Sequence, residues 1–98
     1  MAERHERRLV DRLSGTGSLS RAGASLGPVD YYIDIWQDFL IVPGHEDVGA
    51  LRELQIRLTY DFDISGLLGE TLTLHLADGR HVEGSLDGSR FLPSSELT

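Results

Sequence analysis

The stretch LLGETLTLHLADGRHVEGSLD, residues 67 to 87, constrains the fold more than any other. Leu72, Leu74 and Leu76 alternate with Thr71, Thr73 and His75, and Val82, Gly84 and Leu86 alternate with His81, Glu83 and Ser85. A two-residue period marks half-buried strands. Both apolar sets share one face only if cross-strand partners have numbers with an even sum, so the loop holds an odd number of residues. The spacing predicts a three-residue loop at Ala77, Asp78 and Gly79, with Gly79 left-handed, pairing Leu74 with Val82 and His75 with His81.

Two further stretches repeat the period. In PVDYYIDIWQDFLIV, Val29, Tyr31, Ile33, Ile35 and Gln37 fall on one face, and Asp30, Tyr32, Asp34, Trp36 and Asp38 on the other. Asp is a poor strand former, so the face that carries it so regularly is the wet one. From Phe39 to Val42 the alternation becomes a continuous apolar run, which predicts a bend or burial on both sides, ended by Pro43 and Gly44. Residues 45 to 50, HEDVGA, read as a loop. Alternation resumes with Leu54, Ile56, Leu58, Tyr60 and Phe62 directed inward. Ser65, Gly66 and Gly69 turn the chain into the organising hairpin.

At the front, residues 3 to 13, ERHERRLVDRL, have helix-forming composition, with Leu9, Val10 and Leu13 on one stripe and opposite charges four apart. This predicts a short helix or a flexible arm over residues 1–14. Residues 15 to 27 read as a hairpin with a strand near 17 to 21 and a turn at Gly23. Residues 15–92 form the expected single domain and 93–98 a flexible tail. Five or six antiparallel strands in 98 residues bury a face most economically as a small barrel or a compact sandwich, and the bend near Asp38 favours the barrel.

Composition narrows the function. There is no cysteine, which excludes disulfides and a thiol nucleophile. No apolar run is long enough to span a bilayer and MAERHERRLV lacks an apolar signal core, so a soluble, cytoplasmic protein is expected. The formal net charge is −7, and all the excess acid lies after residue 14. Such a surface disfavours nucleic acid and anionic lipid.

The hairpin LTLHLADGRHVEGSLD resembles the first motif of Sm-like RNA-binding barrels, but nothing after Leu92 matches the second motif, and no binding residue is carried over. PilZ domains, which bind a cyclic dinucleotide, are similar in having an arginine pair four apart, as in Arg4 and Arg8, and a cluster like Asp63, Ser65 and Gly69. Here the glycine falls one residue late, and the arginines lie far upstream of where that family places them.

The candidate sites follow from these faces. Asp30, Tyr32, Asp34, Trp36 and Asp38 combine ring faces with carboxylates, a chemistry suited to a basic protein surface, unless the N-terminal segment covers them and its arginines reach the aspartates. His75 and His81, with Glu83, offer two or three metal ligands, fewer than zinc normally takes. No serine sits in a strand-to-helix elbow, and without Lys there is no phosphate loop of the usual kind. The expected function is a non-catalytic β-barrel module for protein–protein interaction, needing no cofactor, with a homodimer through strand edges as one form of partner. The alternative is a small-molecule or metal-binding barrel with weak enzymatic chemistry.

Overall fold

A computed structural model describes residues 4 to 98, with side chains described outside 47 to 51. The protein is mostly β, and the described residues contain no helix. Six antiparallel strands run in the order β1 (Arg4–Arg21), β2 (Ala24–Val42), β3 (His45–Thr59), β4 (Leu72–His75), β5 (His81–Asp87) and β6 (Arg90–Pro93). The hydrogen-bonded sequence of strands is β1-β2-β3-β6-β5-β4, and β4 pairs back onto β1, so the sheet closes on itself.

The organising hairpin forms as its parity requires. Leu74 pairs with Val82 and His75 with His81. Leu76 N–H donates to the Arg80 carbonyl at 2.8 Å and Gly79 N–H to the Leu76 carbonyl at 3.2 Å, which leaves the three-residue loop with Gly79 at φ 91°. Asp78 closes it by accepting from the Arg80 amide at 3.0 Å and from Arg80 Nε at 2.8 Å.

The inward sets meet in one core. Val29, Tyr31, Ile33 and Ile35 of β2 pack with Ile56 and Leu58 of β3, Leu72 and Leu74 of β4, Val82 and Leu86 of β5, and Phe91 of β6. Gly84 leaves the space that Phe91 fills, since a Cβ at 84 would stand 2.6 Å from the Phe91 ring. Tyr31 crosses the core to accept the Ala77 amide at 3.2 Å on its hydroxyl, tying β2 to the hairpin loop.

Three expectations are corrected. Of the helix expected over residues 3 to 13, position 3 lies outside the described residues, and from Arg4 onward the chain is instead the first half of β1, paired with β2 from Arg4↔Ile41 to Leu9↔Trp36 and again from Asp11↔Ile35. The register shifts at Val10, and this bulge moves the odd-numbered residues of β1 from one face to the other. Leu13 therefore faces Ile33 in the core while Leu9 faces Trp36 outside. The stripe that suggested a helix is a strand whose period is broken once. Residues 45 to 50 are not a loop but the start of β3, turned back by a two-residue connection at Pro43 and Gly44, with Gly44 at φ 77°. β3 ends at Thr59, short of Tyr60 and Phe62, which pack on the core from the following loop. Of the two alternatives expected for Phe39 to Val42, the bend agrees with the β2–β3 register shift between Gln37 and Phe39, whereas burial on both sides does not occur, since these residues are half-buried in a ribbon.

That ribbon is a distinctive part of the shape. β1 meets β4 only at Ser18–Ser20, and β3 meets β6 only at Ile56 and Arg57. Beyond Trp36 the ends of β1, β2 and β3 continue as a three-stranded arm outside the closed circuit. The molecule is 53 Å long with a radius of gyration of 16.1 Å, against about 13 Å for a compact chain of this length. At the other terminus, Thr98 exchanges both backbone hydrogen bonds with His81, so the segment after Leu92 lies along β5.

Candidate functional site

The five residues singled out on the wet face of β2 do share that face, and residues of β1 engage four of the five, directly opposite at Asp30 and Asp34 and diagonally at Trp36 and Asp38. Thr16 Oγ1 donates to Asp30 Oδ1 at 2.7 Å. Arg12 Nε lies 3.3 Å from Asp34 Oδ1, and His5 Nδ1 lies 3.0 Å from Asp38 Oδ2. Trp36 sits between Leu9 on β1 and Glu53 on β3. The Arg7 guanidinium lies 5.0 Å from the centre of its ring and pairs with Glu53. Cationic groups over an indole add about 0.5–1 kcal/mol at exposed sites. Tyr32 stays open, 50% exposed.

The acidic and aromatic face is thus largely occupied by this chain's own basic residues, supplied by a strand rather than a helix. One group is left over. Trp36 Nε1 is out of reach of solvent and has no acceptor among the described residues.

The opposite face of the arm has its own cluster. Arg8 lies 4.8 Å from the centre of the Phe39 ring and bonds Glu46 at 2.6 Å and Glu6 at 3.0 Å. The hydrogen bond to Arg8 holds the Glu6 carboxyl below its ordinary pKa, and the two carboxylates raise that of the guanidinium. These pairs are exposed, and each contributes little by itself.

His75 and His81 face each other with ring centres 6.3 Å apart. Their Nε2 atoms serve different hydroxyls, Ser20 Oγ at 2.8 Å and Thr98 Oγ1 at 3.2 Å. Glu83 stands across from Thr73. Among the described residues no group of three or more His, Asp or Glu side chains converges as a metal site. Arg4 and Arg8 are on the arm, whereas Asp63 binds Ser65 locally, through its amide at 2.9 Å and its hydroxyl at 3.1 Å, so the two halves of the dinucleotide-like pattern belong to separate structures.

A groove that sequence reasoning missed opens between β3 and the segment after β6. Its volume is about 800 Å³, and its walls carry Arg52, Arg57, Arg80 and Arg90. The sole hint in the sequence is Arg57, outward-facing on β3. That Arg90 would stand opposite it depends on strand order, which no local pattern reveals.

Among the described residues, no helix is long and apolar enough to cross a membrane. Compared with family models, with curated proteins and with solved structures, the chain matches none.

Proposed function

We propose that this chain is a small β-barrel module without catalytic chemistry, whose role is to dock on another protein through the three-stranded arm. The observation that carries this reading is the arm itself. Leu9 and Trp36 on one face, and Phe39 and Ile41 on the other, are each only half-buried, and among the described residues no second layer lies against either face. A sheet hydrophobic on both sides is normally covered. Larger exposed apolar surfaces mark interaction sites. The arm also has two open edges, since among the described residues the arm portions of β1 and β3 are each laddered to β2 alone. Unpaired edges are templates for further strands.

The closed circuit of strands supports a barrel over a sandwich. Trp36 and Asp38 belong to the arm and to the proposed contact. Asp30 and Asp34 lie nearer the closed part, engaged by Thr16 and Arg12, and leave less free carboxylate for a basic partner than the sequence suggested.

The test compares the full chain with a Phe39→Ser/Ile41→Ser variant by sedimentation and by co-purification from expressing cells. The reading requires the wild-type chain to hold a partner protein or a second copy, and the variant to lose it while melting within a few degrees of wild type. A wild-type chain that sediments alone and retains nothing overturns it, as does a partner held equally by the variant.

A further inference from the structure

The groove between β3 and the C-terminal segment has the three features that an extended acidic peptide needs, and it lies at the base of the arm, where the open edge of β3 runs into the closed circuit. The first is an open backbone edge. β6 is hydrogen-bonded to β3 only at Ile56↔Phe91 and Arg57↔Arg90, while Leu92 and Pro93 continue along β5. Pro93 has no N–H to offer β3. Among the described residues, Arg52 to Gln55 therefore have no ladder partner on that side.

The second is an apolar floor. The half-buried Leu54 and Leu97 line the groove over the buried Ile35 and Phe91, and alternate side chains of an added strand would point toward it.

The third is charge. Arg57 and Arg90 stand directly opposite each other on neighbouring strands, an arrangement that repels. Neither has an ion-pair partner among the described residues, nor does Arg52; Asp87, opposite Arg90 on β5, makes no ion pair with it. The acids of the same groove are Asp34, Glu53 and Glu96. Asp34 is taken by Arg12 and Glu53 by Arg7, while Arg80 is taken by Asp78. Among the described residues, the guanidinium groups of Arg57 and Arg90 then stand together on the outward face of the groove with no ion-pair partner, in a chain whose net charge is −7. Uncompensated arginines side by side in an acidic protein call for an anionic group from outside, and guanidinium groups hold carboxylates through paired N–H donors.

We infer that this groove binds an extended acidic peptide segment as an added strand on β3, with its carboxylates on Arg57 and Arg90. Backbone bonds to Arg52–Gln55 give the register, the floor takes every second side chain, and the arginines select for acid.

The probe is acetyl-Glu-Val-Glu-Val-Glu-amide, titrated into the isotope-labelled full chain and followed by amide chemical shifts. The expected result is a saturable shift confined to residues 52–57 and 90–97. The affinity should fall about tenfold or more in Arg57→Gln/Arg90→Gln. It should also be lost with a peptide N-methylated at alternate residues, and with Lys in place of Glu. Both arginines are exposed, and the single variants are read separately should the double variant not fold. Absence of a saturable shift up to roughly 5 mM peptide, a weakness beyond any useful affinity, overturns the inference. Equal binding by the arginine variants or by the Lys peptide does so too. Inorganic phosphate producing the same shifts at the same concentration also overturns it, by making the site one for small oxyanions. The Phe39→Ser/Ile41→Ser variant should bind the peptide as wild type does, which separates this result from the fate of the arm.

Discussion

Gly17 of β1 lies directly against the carbonyl oxygen of His75 at the end of β4, so close that a Cβ at 17 would overlap it. The contact is at the seam where the sheet closes, because Ser18↔His75 is the first of only three β1–β4 pairs. A clash with backbone cannot be relieved by a rotamer change. Gly17→Ala should destabilise the protein by about 2–4 kcal/mol, a large share of the total for a domain of this size. Gly66→Ala is the control: nothing lies within 4 Å of its Cβ position, and the change should stay within about 0.5 kcal/mol. Urea denaturation measures both, and a Gly17→Ala protein as stable as wild type would show that closure at this seam is not needed.

Trp36 separates packing from hydrogen bonding. Its ring carries the contact with Arg7, whereas its Nε1 is buried with no acceptor among the described residues. Trp36→Ala should cost about 1–2 kcal/mol, less than a core truncation because the residue is half-buried. Trp36→Phe keeps an aromatic ring and deletes the unmatched donor, so the loss should be under about 1 kcal/mol. Denaturation midpoints of the two variants decide this, and equal damage by both would contradict the unpaired indole.

Acid should weaken the fold through its turns. The side chain and amide of Arg80 hold the Asp78 carboxyl below its ordinary 3.8, and the amide and hydroxyl of Ser65 do the same for Asp63. A carboxylate with a depressed folded pKa adds stability that is fully present above its unfolded value and is lost as the pH falls through the folded one. Melting temperature should hold level down to about pH 5 and then decline below about pH 4. Asp78→Asn should flatten that decline, since one of the groups that must be protonated is gone. An identical acid profile for the variant would assign the sensitivity elsewhere.

The central hairpin was legible because its information is local. Alternation gives the faces, the parity of the apolar positions gives the loop length, and a glycine at 79 supplies the positive φ. The inward residues of β2 and β3 could be read for the same reason. The first strand could not. Val10 interrupts its alternation, so Leu9, Val10 and Leu13 mimic a helical stripe, and the arginine spacing reinforces the impression. What makes residues 4 to 13 a strand is the free edge of β2, twenty or more positions away in the chain. Similarly, HEDVGA has the composition of a loop and becomes a strand because Phe39 to Val42 offer it a ladder. The candidate site shares this limit. The face of Asp30 to Asp38 was visible in the sequence, and so was the reach of an N-terminal arginine to its aspartates, as Arg12 has to Asp34; that a paired strand would bring Thr16, Arg7 and His5 there as well was not.

The sequence by itself determined which side chains of the later strands face the interior, where the chain turns, and that the product is a cysteine-free, acidic β protein. Only the tertiary structure decided that the N-terminal segment is a strand, that the sheet closes between Gly17 and His75, and that Arg57 meets Arg90. The physical reason is range. Side-chain alternation and turn geometry are set within a few residues, whereas strand order and edge pairing depend on backbone groups finding partners tens of residues away, whose identity no local pattern encodes.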